Sequence, residues 1–170
     1  MIVNISNLTK KYGRHVLFDR LSVSIPHNKL TCIYGSSGCG KTTLLNIIGM
    51  IENYTTGIIT YDDKIIKNQQ QRRNFLSNKI GFIFQDFGLV ENETVYQNML
   101  IVKNIKKMKD RRNERSKVLE SLQLKDFIDR KVFELSGGEQ QRVAIAKILL
   151  KDVDLILADE PTASLDKDNK

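Results

Sequence analysis

Hydrophobic positions follow two different patterns along this chain. Apolar and polar residues alternate over residues 2–5 and again over 21–25, which predicts half-buried strands. Residues 30–34, 80–84 and 153–158 are nearly continuous apolar runs instead. The run 153–158 is typical of a buried strand of a parallel sheet, and the other two runs predict apolar strands. The sequence therefore predicts strands of both kinds.

Other segments carry helical or turn patterns. Residues 44–51 are apolar nearly all round, which predicts a helix buried against a sheet, whereas the polar run 69–73 predicts the start of a solvated helix. Residues 57–61 and 64–66 predict a hairpin around Asp62 and Asp63. Val95, Met99 and Val102 recur at helical spacing, as do Leu119 and Leu122 beyond the basic segment. We therefore expect a mostly helical subdomain from Thr94 to Phe133.

Residues 35–43, hereafter the phosphate loop, match the pattern G-x-x-x-x-G-K-[ST] between a predicted strand and a predicted helix. Glycines let the backbone curl so that successive N–H groups face an anion, and the following helix adds its positive end. Lys41 would reach the β- and γ-phosphates, and the Thr42 hydroxyl would bind Mg²⁺. The sequence thus predicts a nucleoside triphosphate site, formed by Gly35, Ser36, Ser37, Gly38, Cys39, Gly40, Lys41, Thr42 and Thr43.

Polar side chains end two of the predicted buried strands. Asp159 and Glu160 follow the run 153–158; Asp159 suits Mg²⁺, and Glu160 suits polarisation of an attacking water. Gln85 ends the strand before it. A glutamine there is either a plain loop residue or, near a magnesium site, a ligand or a group that positions water.

Two further features have both a structural and a functional interpretation. In the segment 135–142, Ser136 and Glu139 form a capping box, which accounts for both residues but not for the adjacent glycines 137 and 138. Glycines at a helix start let an anion approach the backbone N–H groups. Tyr12 either packs at a strand end or stacks on a nucleotide base.

Composition narrows the classes of protein. In 170 residues with a net charge of +7, no apolar run approaches the roughly 18 residues of a membrane span, and the first residues lack a signal-peptide pattern, so we expect a cytosolic chain. Cys32 and Cys39 are expected to be reduced thiols. The basic stretch 103–117 would attract anionic lipid or nucleic acid, but a solvated helix face is favoured because no aromatic residues interleave the charges.

The order of GSSGCGKTT, a strand-end Gln, LSGGEQQR, LILADEP and ASLD resembles the ATPase domain of ATP-binding cassette (ABC) transporters over essentially the whole chain. The intervening sequence looks most like exporter ATPases of the macrolide, lipoprotein-release and bacteriocin-immunity type. The resemblance implies an α/β fold: a P-loop NTPase with a RecA-like core of parallel strands, an N-terminal antiparallel β subdomain and an inserted helical subdomain. We expect one domain, divided into residues 1–91, 92–134 and 135–170.

The resemblance also implies roles for single residues. Tyr12 would stack on the adenine of ATP, and Lys41 would hold the phosphates. Gln85 would contact Mg²⁺ and the attacking water, while its loop touches the membrane partner. Asp159 would hold Mg²⁺, and Glu160 would be the catalytic carboxylate. The implied activity is ATP hydrolysis that energises export through separate membrane-spanning subunits.

A second set of implied residues acts between two copies of the chain. Ser136, Gly137 and Gly138 would contact the γ-phosphate of ATP bound to the other subunit of a head-to-tail homodimer. Asp166 would signal across that interface. The implied location is the cytoplasm, peripheral on the inner face of the cell membrane, with no nucleic-acid partner.

The chain departs from the family pattern in one main respect. The family carries a switch His downstream of the Asp-Glu pair, and no His follows Glu160 here. We therefore expect an incomplete domain that is poorly stable and hydrolyses ATP slowly or not at all. Two alternatives remain open: a soluble cassette ATPase acting on nucleic acid or ribosomes, and a nucleotide-binding fragment without turnover.

Overall fold

The structure, a computed structural model, describes residues 1–102, 111–151 and 153–161. The chain divides into two compact units, residues 1–76 and 77–170. The strands are β1 (Val3–Tyr12), β2 (His15–Ile25), β3 (Thr56–Tyr61), β4 (Ile80–Ile83) and β5 (Leu155–Ala158). The helices are α1 (Lys41–Ile48), α2 (Gln69–Asn78), α3 (Val95–Leu100), α4 (Arg111–Ser121) and α5 (Gly137–Leu150), with 3₁₀ turns at Lys125–Phe127 and Val132–Glu134.

The first unit contains an antiparallel sheet in the order β2-β1-β3. Val3 pairs with Ile25 on one side and with Tyr61 on the other, so both predicted half-buried strands are confirmed. The predicted hairpin at Asp62 and Asp63 is present as a tight turn, in which both residues have positive φ. Its second arm is a single bridge from Tyr61 to Lys64 rather than a strand.

The strand predicted at residues 30–34 is wrong for this structure. These residues have no regular secondary structure, and Leu30 and Tyr34 are 92% and 89% exposed. A buried strand exists only if neighbouring strands supply hydrogen-bond partners and cover its side chains. Within the described parts of the chain, none of the five strands pairs with this segment.

The second unit contains a parallel pair of strands and most of the helical residues. Ile80 pairs with Leu155 and Ile83 with Ala158 in parallel, so the strands predicted at 80–84 and 153–158 are present. Their burial is incomplete, because Ile156 of β5 is 53% exposed. The helical segment predicted at 94–133 contains α3, α4 and both 3₁₀ turns. Residues 103–110 of the basic stretch lie outside the described residues. The core of this unit is one apolar cluster: Val95, Met99, Val102, Leu119, Leu124, Leu135, Val143, Ala146 and Leu150.

Candidate nucleotide site

The phosphate loop requires its glycines for backbone geometry. Gly38 and Gly40 have φ values of +77° and +99°, a region that other residues rarely adopt. A Cβ on Gly40 would lie 2.7 Å from the Phe18 ring and 3.0 Å from Leu17, both on β2. The loop therefore passes directly over β2 just before α1 begins.

Lys41 folds back over the loop. Its Nζ donates to the carbonyl oxygens of Gly35 at 3.0 Å and Ser36 at 2.9 Å, and the Cys39 N–H donates to the same Ser36 carbonyl at 3.4 Å. Gly40 is the N-cap of α1, and in the part of the chain that the structure describes no side chain caps this helix and no acidic residue lies in its first turn. A bare helix start beside a lysine is suited to an anion.

Tyr12 lies at the end of β1, where it pairs with His15. Its hydroxyl donates to the Glu52 carboxylate, and the Lys10 ammonium lies 4.4 Å from the centre of its ring. The side chain is still 48% exposed. Stacking of this ring on a base stays a prediction.

The strand-end residues of the second unit share one edge of the parallel pair. Ile83 pairs with Ala158, and the Asp159 N–H donates to the Ile83 carbonyl at 3.0 Å. Gln85 and Glu160 each follow that pair by two residues, so both lie at the carboxyl end of this sheet. Glu160 has a φ of +46°, which is unusual for a residue with a side chain. Strained backbone of this kind is concentrated at functional sites.

The predicted capping box at the signature segment (residues 135–142) is confirmed. The Ser136 hydroxyl and N–H donate to the Glu139 carboxylate at 2.8 and 2.7 Å, and the Glu139 N–H donates back to the hydroxyl at 3.4 Å. The hydrogen bonds from Ser136 lower the pKa of Glu139, so its carboxylate is ionised. Gly138 has no atom near the position of a Cβ, which leaves room above the helix start.

Two polar residues of α5 that sequence reasoning did not single out hold the loops at this edge. Gln141 is 5% exposed, and its Nε2 donates to the Pro161 carbonyl, next to Glu160. Lys147 donates to the Gly88 carbonyl at 2.8 Å, in the loop that begins after β4. Gln141 lies four and seven residues before Ile145 and Ile148. A polar residue at that spacing on an apolar face was the signal that could have revealed it.

Across residues 1–102, 111–151 and 153–161, no three His, Cys, Asp or Glu side chains come together in a way that could hold an ion. Of the predicted magnesium ligands, Thr42 and Gln85 are not among these residue types, and Asp159 is a single carboxylate. Their hydroxyl, amide and carboxylate oxygens all suit Mg²⁺. Asp166 lies outside the described residues.

The family model described as ABC transporter matches residues 18–163. The chain belongs to the ABC transporter family. Within that family it is 38% identical over 169 residues to the macrolide export ATP-binding/permease protein MacB of Campylobacter jejuni, which covers 97% of this chain and 26% of MacB. It is 36% identical over 174 residues to the lipoprotein-releasing system ATP-binding protein LolD of Porphyromonas gingivalis, covering 100% of this chain and 80% of LolD.

Solved structures of the ABC transporter family have the same fold. The dimeric structure of MJ0796, a bacterial ABC transporter cassette, superposes with a TM-score of 0.85 at 34% identity, covering 98% of this chain and 77% of that one. A second structure of MJ0796, in a post-hydrolysis state bound to ADP and Pi, superposes with a TM-score of 0.83 at 32% identity, covering 98% and 77%. The predicted ABC ATPase fold of α/β class is thereby confirmed. The chain spans 26% of the length of MacB.

Proposed function

We propose that this chain is the ATP-binding and ATP-hydrolysing part of an ABC transporter, which energises export through separate membrane-spanning subunits. The observation that carries the proposal is the start of α1, where an uncapped helix begins at a left-handed glycine beneath a lysine. The likeness to a macrolide exporter and to a lipoprotein-releasing ATPase supports export.

ATP binding follows from the phosphate loop. Lys41 now donates to two carbonyl oxygens of the loop itself. Phosphate oxygens carry negative charge and form stronger, charge-assisted hydrogen bonds than carbonyl oxygens do, so the ammonium exchanges one set of partners for the other. The loop N–H groups and the positive end of α1 bind the remaining phosphate oxygens. The Tyr12 ring takes the adenine.

Hydrolysis is assigned to the strand-end residues. Glu160 acts on the attacking water as the catalytic carboxylate, and Gln85 positions that water. Thr42, Gln85 and Asp159 supply oxygen ligands for Mg²⁺, which when bound neutralises charge on the phosphates. Gln141 holds the turn at Pro161 and so restrains the strained backbone of Glu160.

The signature segment is assigned to a second copy of the chain. Ser136, Gly137 and Gly138 contact the γ-phosphate of ATP bound to the other subunit in a head-to-tail homodimer, and Asp166 signals across that interface. MJ0796 is dimeric in its solved structures, which supports this assembly. Donors from two subunits surround the phosphate only when the dimer closes, so ATP binding and hydrolysis drive closure and opening.

Membrane-spanning partners complete the proposal. In the residues that the structure describes, every helix is too short or too polar to cross a bilayer. We place the chain peripherally on the inner face of the cell membrane, held there by the subunits that form the export path. Its division into residues 1–91, 92–134 and 135–170 as parts of one cassette stays a prediction.

ATP binding is tested by calorimetric titration with Mg-ATP. Lys41→Met removes the ammonium and is expected to weaken ATP affinity by about 10- to 100-fold. Lys11→Met removes an exposed ammonium of β1 and serves as the matched control. Equal affinities in all three proteins would contradict the site.

Turnover and transport need separate measurements. Glu160→Gln should retain ATP affinity and abolish phosphate release, measured with the membrane subunits present. Isolation of the chain from membranes in complex with a membrane-spanning protein supports the transport assignment. Isolation with nucleic acid or ribosomes instead would contradict it.

A further inference from the structure

Three side chains of the first unit form a linked group around Tyr12. Lys10 is only 8% exposed, and its Nζ lies 2.7 Å from Glu52 Oε1 and 2.7 Å from the Asn53 carbonyl oxygen. The same ammonium lies 4.4 Å from the centre of the Tyr12 ring. The Tyr12 hydroxyl donates to Glu52 Oε1. One carboxylate oxygen thus receives both the ammonium and the phenol.

This arrangement fixes the ring at two places. The hydroxyl is held at the far end of the side chain, which restricts rotation about the Cα–Cβ bond. The ammonium lies over the ring, a favourable position for a cation on the negative face of an aromatic system. The side chain is 48% exposed, so part of the ring is accessible to a flat partner.

The same group lies close to both ends of α1 and to the β1–β2 hairpin. Phe18, which a Cβ on Gly40 would touch, pairs with Lys10, and Tyr12 lies two residues further along β1. Glu52 comes just after the other end of α1, where its N–H donates to the Asn46 carbonyl at 3.1 Å. The phosphate loop therefore precedes α1 at one end, and Glu52, which binds the Tyr12 hydroxyl, follows α1 at the other.

We propose that Glu52 and Lys10 are positioning residues that orient the Tyr12 ring for a purine base, and so set how much the base adds to nucleotide affinity. The inference rests on the proposed function, since it requires that the phosphate loop bind ATP. Charge supports it. Burial works to raise the pKa of Glu52, but the hydrogen bonds from Lys10 and Tyr12 outweigh it and lower that pKa, so the acceptor is ionised.

A purely structural role is the competing explanation. The Lys10–Glu52 ion pair could do no more than tie β1 to the segment after α1. Tyr12→Phe separates the two, because it keeps the ring and the ion pair and removes only the hydroxyl bond to Glu52. A structural ion pair predicts no effect of Tyr12→Phe on base recognition, whereas a positioning role predicts a loss.

The test compares two ligands of the full chain, Mg-ATP and magnesium inorganic triphosphate. The ratio of their dissociation constants measures what the nucleoside adds. Tyr12→Ala should reduce that ratio by about 5- to 150-fold, the usual size of base–aromatic stacking. Tyr12→Phe and Glu52→Gln should each reduce it about two- to tenfold, with triphosphate affinity unchanged. The double variant should lose no more than the larger single effect, because both changes break the same bond.

Matched controls come from the same hairpin. Asp19→Asn and Lys11→Gln change exposed charges on β2 and β1, outside the linked group, and should leave the ratio unchanged. If Glu52→Gln lowers the melting temperature too far to measure binding, Tyr12→Phe decides the question alone.

The outcomes separate the two proposals. A wild-type chain that binds neither ligand overturns the proposed function, and the inference with it. A wild-type chain that binds both ligands equally leaves the phosphate site standing and overturns a base-binding role for Tyr12. A wild-type preference for ATP that survives intact in Tyr12→Phe and Glu52→Gln overturns the inference alone.

Discussion

The two glycine-rich helix starts of this chain differ in how their backbone N–H groups are satisfied. At α1 the N-cap is Gly40, and the described residues supply neither a capping side chain nor an acidic residue in the first turn. At α5 the cap is Ser136, with Glu139 closing a reciprocal capping box. The start of α1 is thus uncapped and lies beside the Lys41 ammonium, whereas the start of α5 is capped and carries a carboxylate.

The difference teaches which start can bind an anion unaided. The helix dipole at the uncapped start of α1 acts together with Lys41. At α5 the Ser136 hydroxyl already donates to Glu139 at 2.8 Å, so a phosphate must compete with that carboxylate for the proton. We expect the signature segment to bind phosphate only in a closed dimer, where the ATP is held by the phosphate loop of a second molecule.

The largest expected effect comes from placing an acidic residue at the N-cap of α1, so that this helix start carries a carboxylate as α5 does. Gly40→Asp adds an acid at a residue with φ +99° whose Cβ would meet Phe18. Backbone strain of about 1–3 kcal/mol and repulsion between carboxylate and phosphate act together, so ATP affinity should fall by more than about 100-fold. Gly40→Ala has the strain without the charge and should show the smaller loss. Calorimetric titration measures both, and equal losses would mean that charge plays no part.

A second expectation concerns access to the open start. Cys39 lies inside the phosphate loop and Cys32 lies before it, and both thiols are exposed. At an ATP concentration ten times the dissociation constant, about nine-tenths of the sites are filled, so alkylation of Cys39 should slow about tenfold. Mass spectrometry of each labelled peptide gives the two rates. A Cys39 rate that is the same with and without ATP would place the nucleotide elsewhere.

The third expectation opens α5. Ser136→Ala removes the cap and should cost about 1 kcal/mol of unfolding free energy. It should leave ATP affinity at the phosphate loop unchanged and weaken ATP-dependent dimer formation. Thermal melts, titration and analytical ultracentrifugation give the three readouts. An unchanged dimer would remove Ser136 from the interface.

The smallest expectation is an acid dependence. The hydrogen bonds from the Ser136 hydroxyl and N–H hold the folded-state pKa of Glu139 below its value in the unfolded chain, so the folded chain binds fewer protons. Its contribution to stability is present above the unfolded pKa and is lost as pH falls through the folded pKa. Glu139→Gln should therefore show a shallower fall of melting temperature on acidification than wild type. Glu91→Gln, at an exposed position, should follow the wild-type curve.

Features with a local cause could be predicted from the sequence. The capping box at Ser136 needs only a serine and a glutamate three residues apart, and the phosphate loop needs only its glycines, lysine and threonine at fixed spacing. The positions of β4 and β5 along the chain also follow from their continuous apolar runs. In each of these cases the chemistry lies within a few residues.

Features with a distant cause could not be predicted. Residues 30–34 have the composition of a buried strand, but a strand forms only where other strands pair with it. Lys10 and Glu52 are 42 positions apart and have no pattern in common, so nothing in the sequence marks Lys10 as buried. The left-handed backbone of Glu160 and its support by Gln141 likewise depend on the folded chain.

The exposed segment from Leu30 to Tyr34 has a consequence for the protein in a cell. Extended apolar stretches are what chaperones and quality-control proteases recognise, and Leu30 and Tyr34 are almost fully accessible. A polypeptide that keeps this stretch exposed is expected to have a shorter half-life than one in which other strands pair with it. The abundance of the protein in a cell would therefore indicate whether these five residues are exposed, without an assay of ATP hydrolysis.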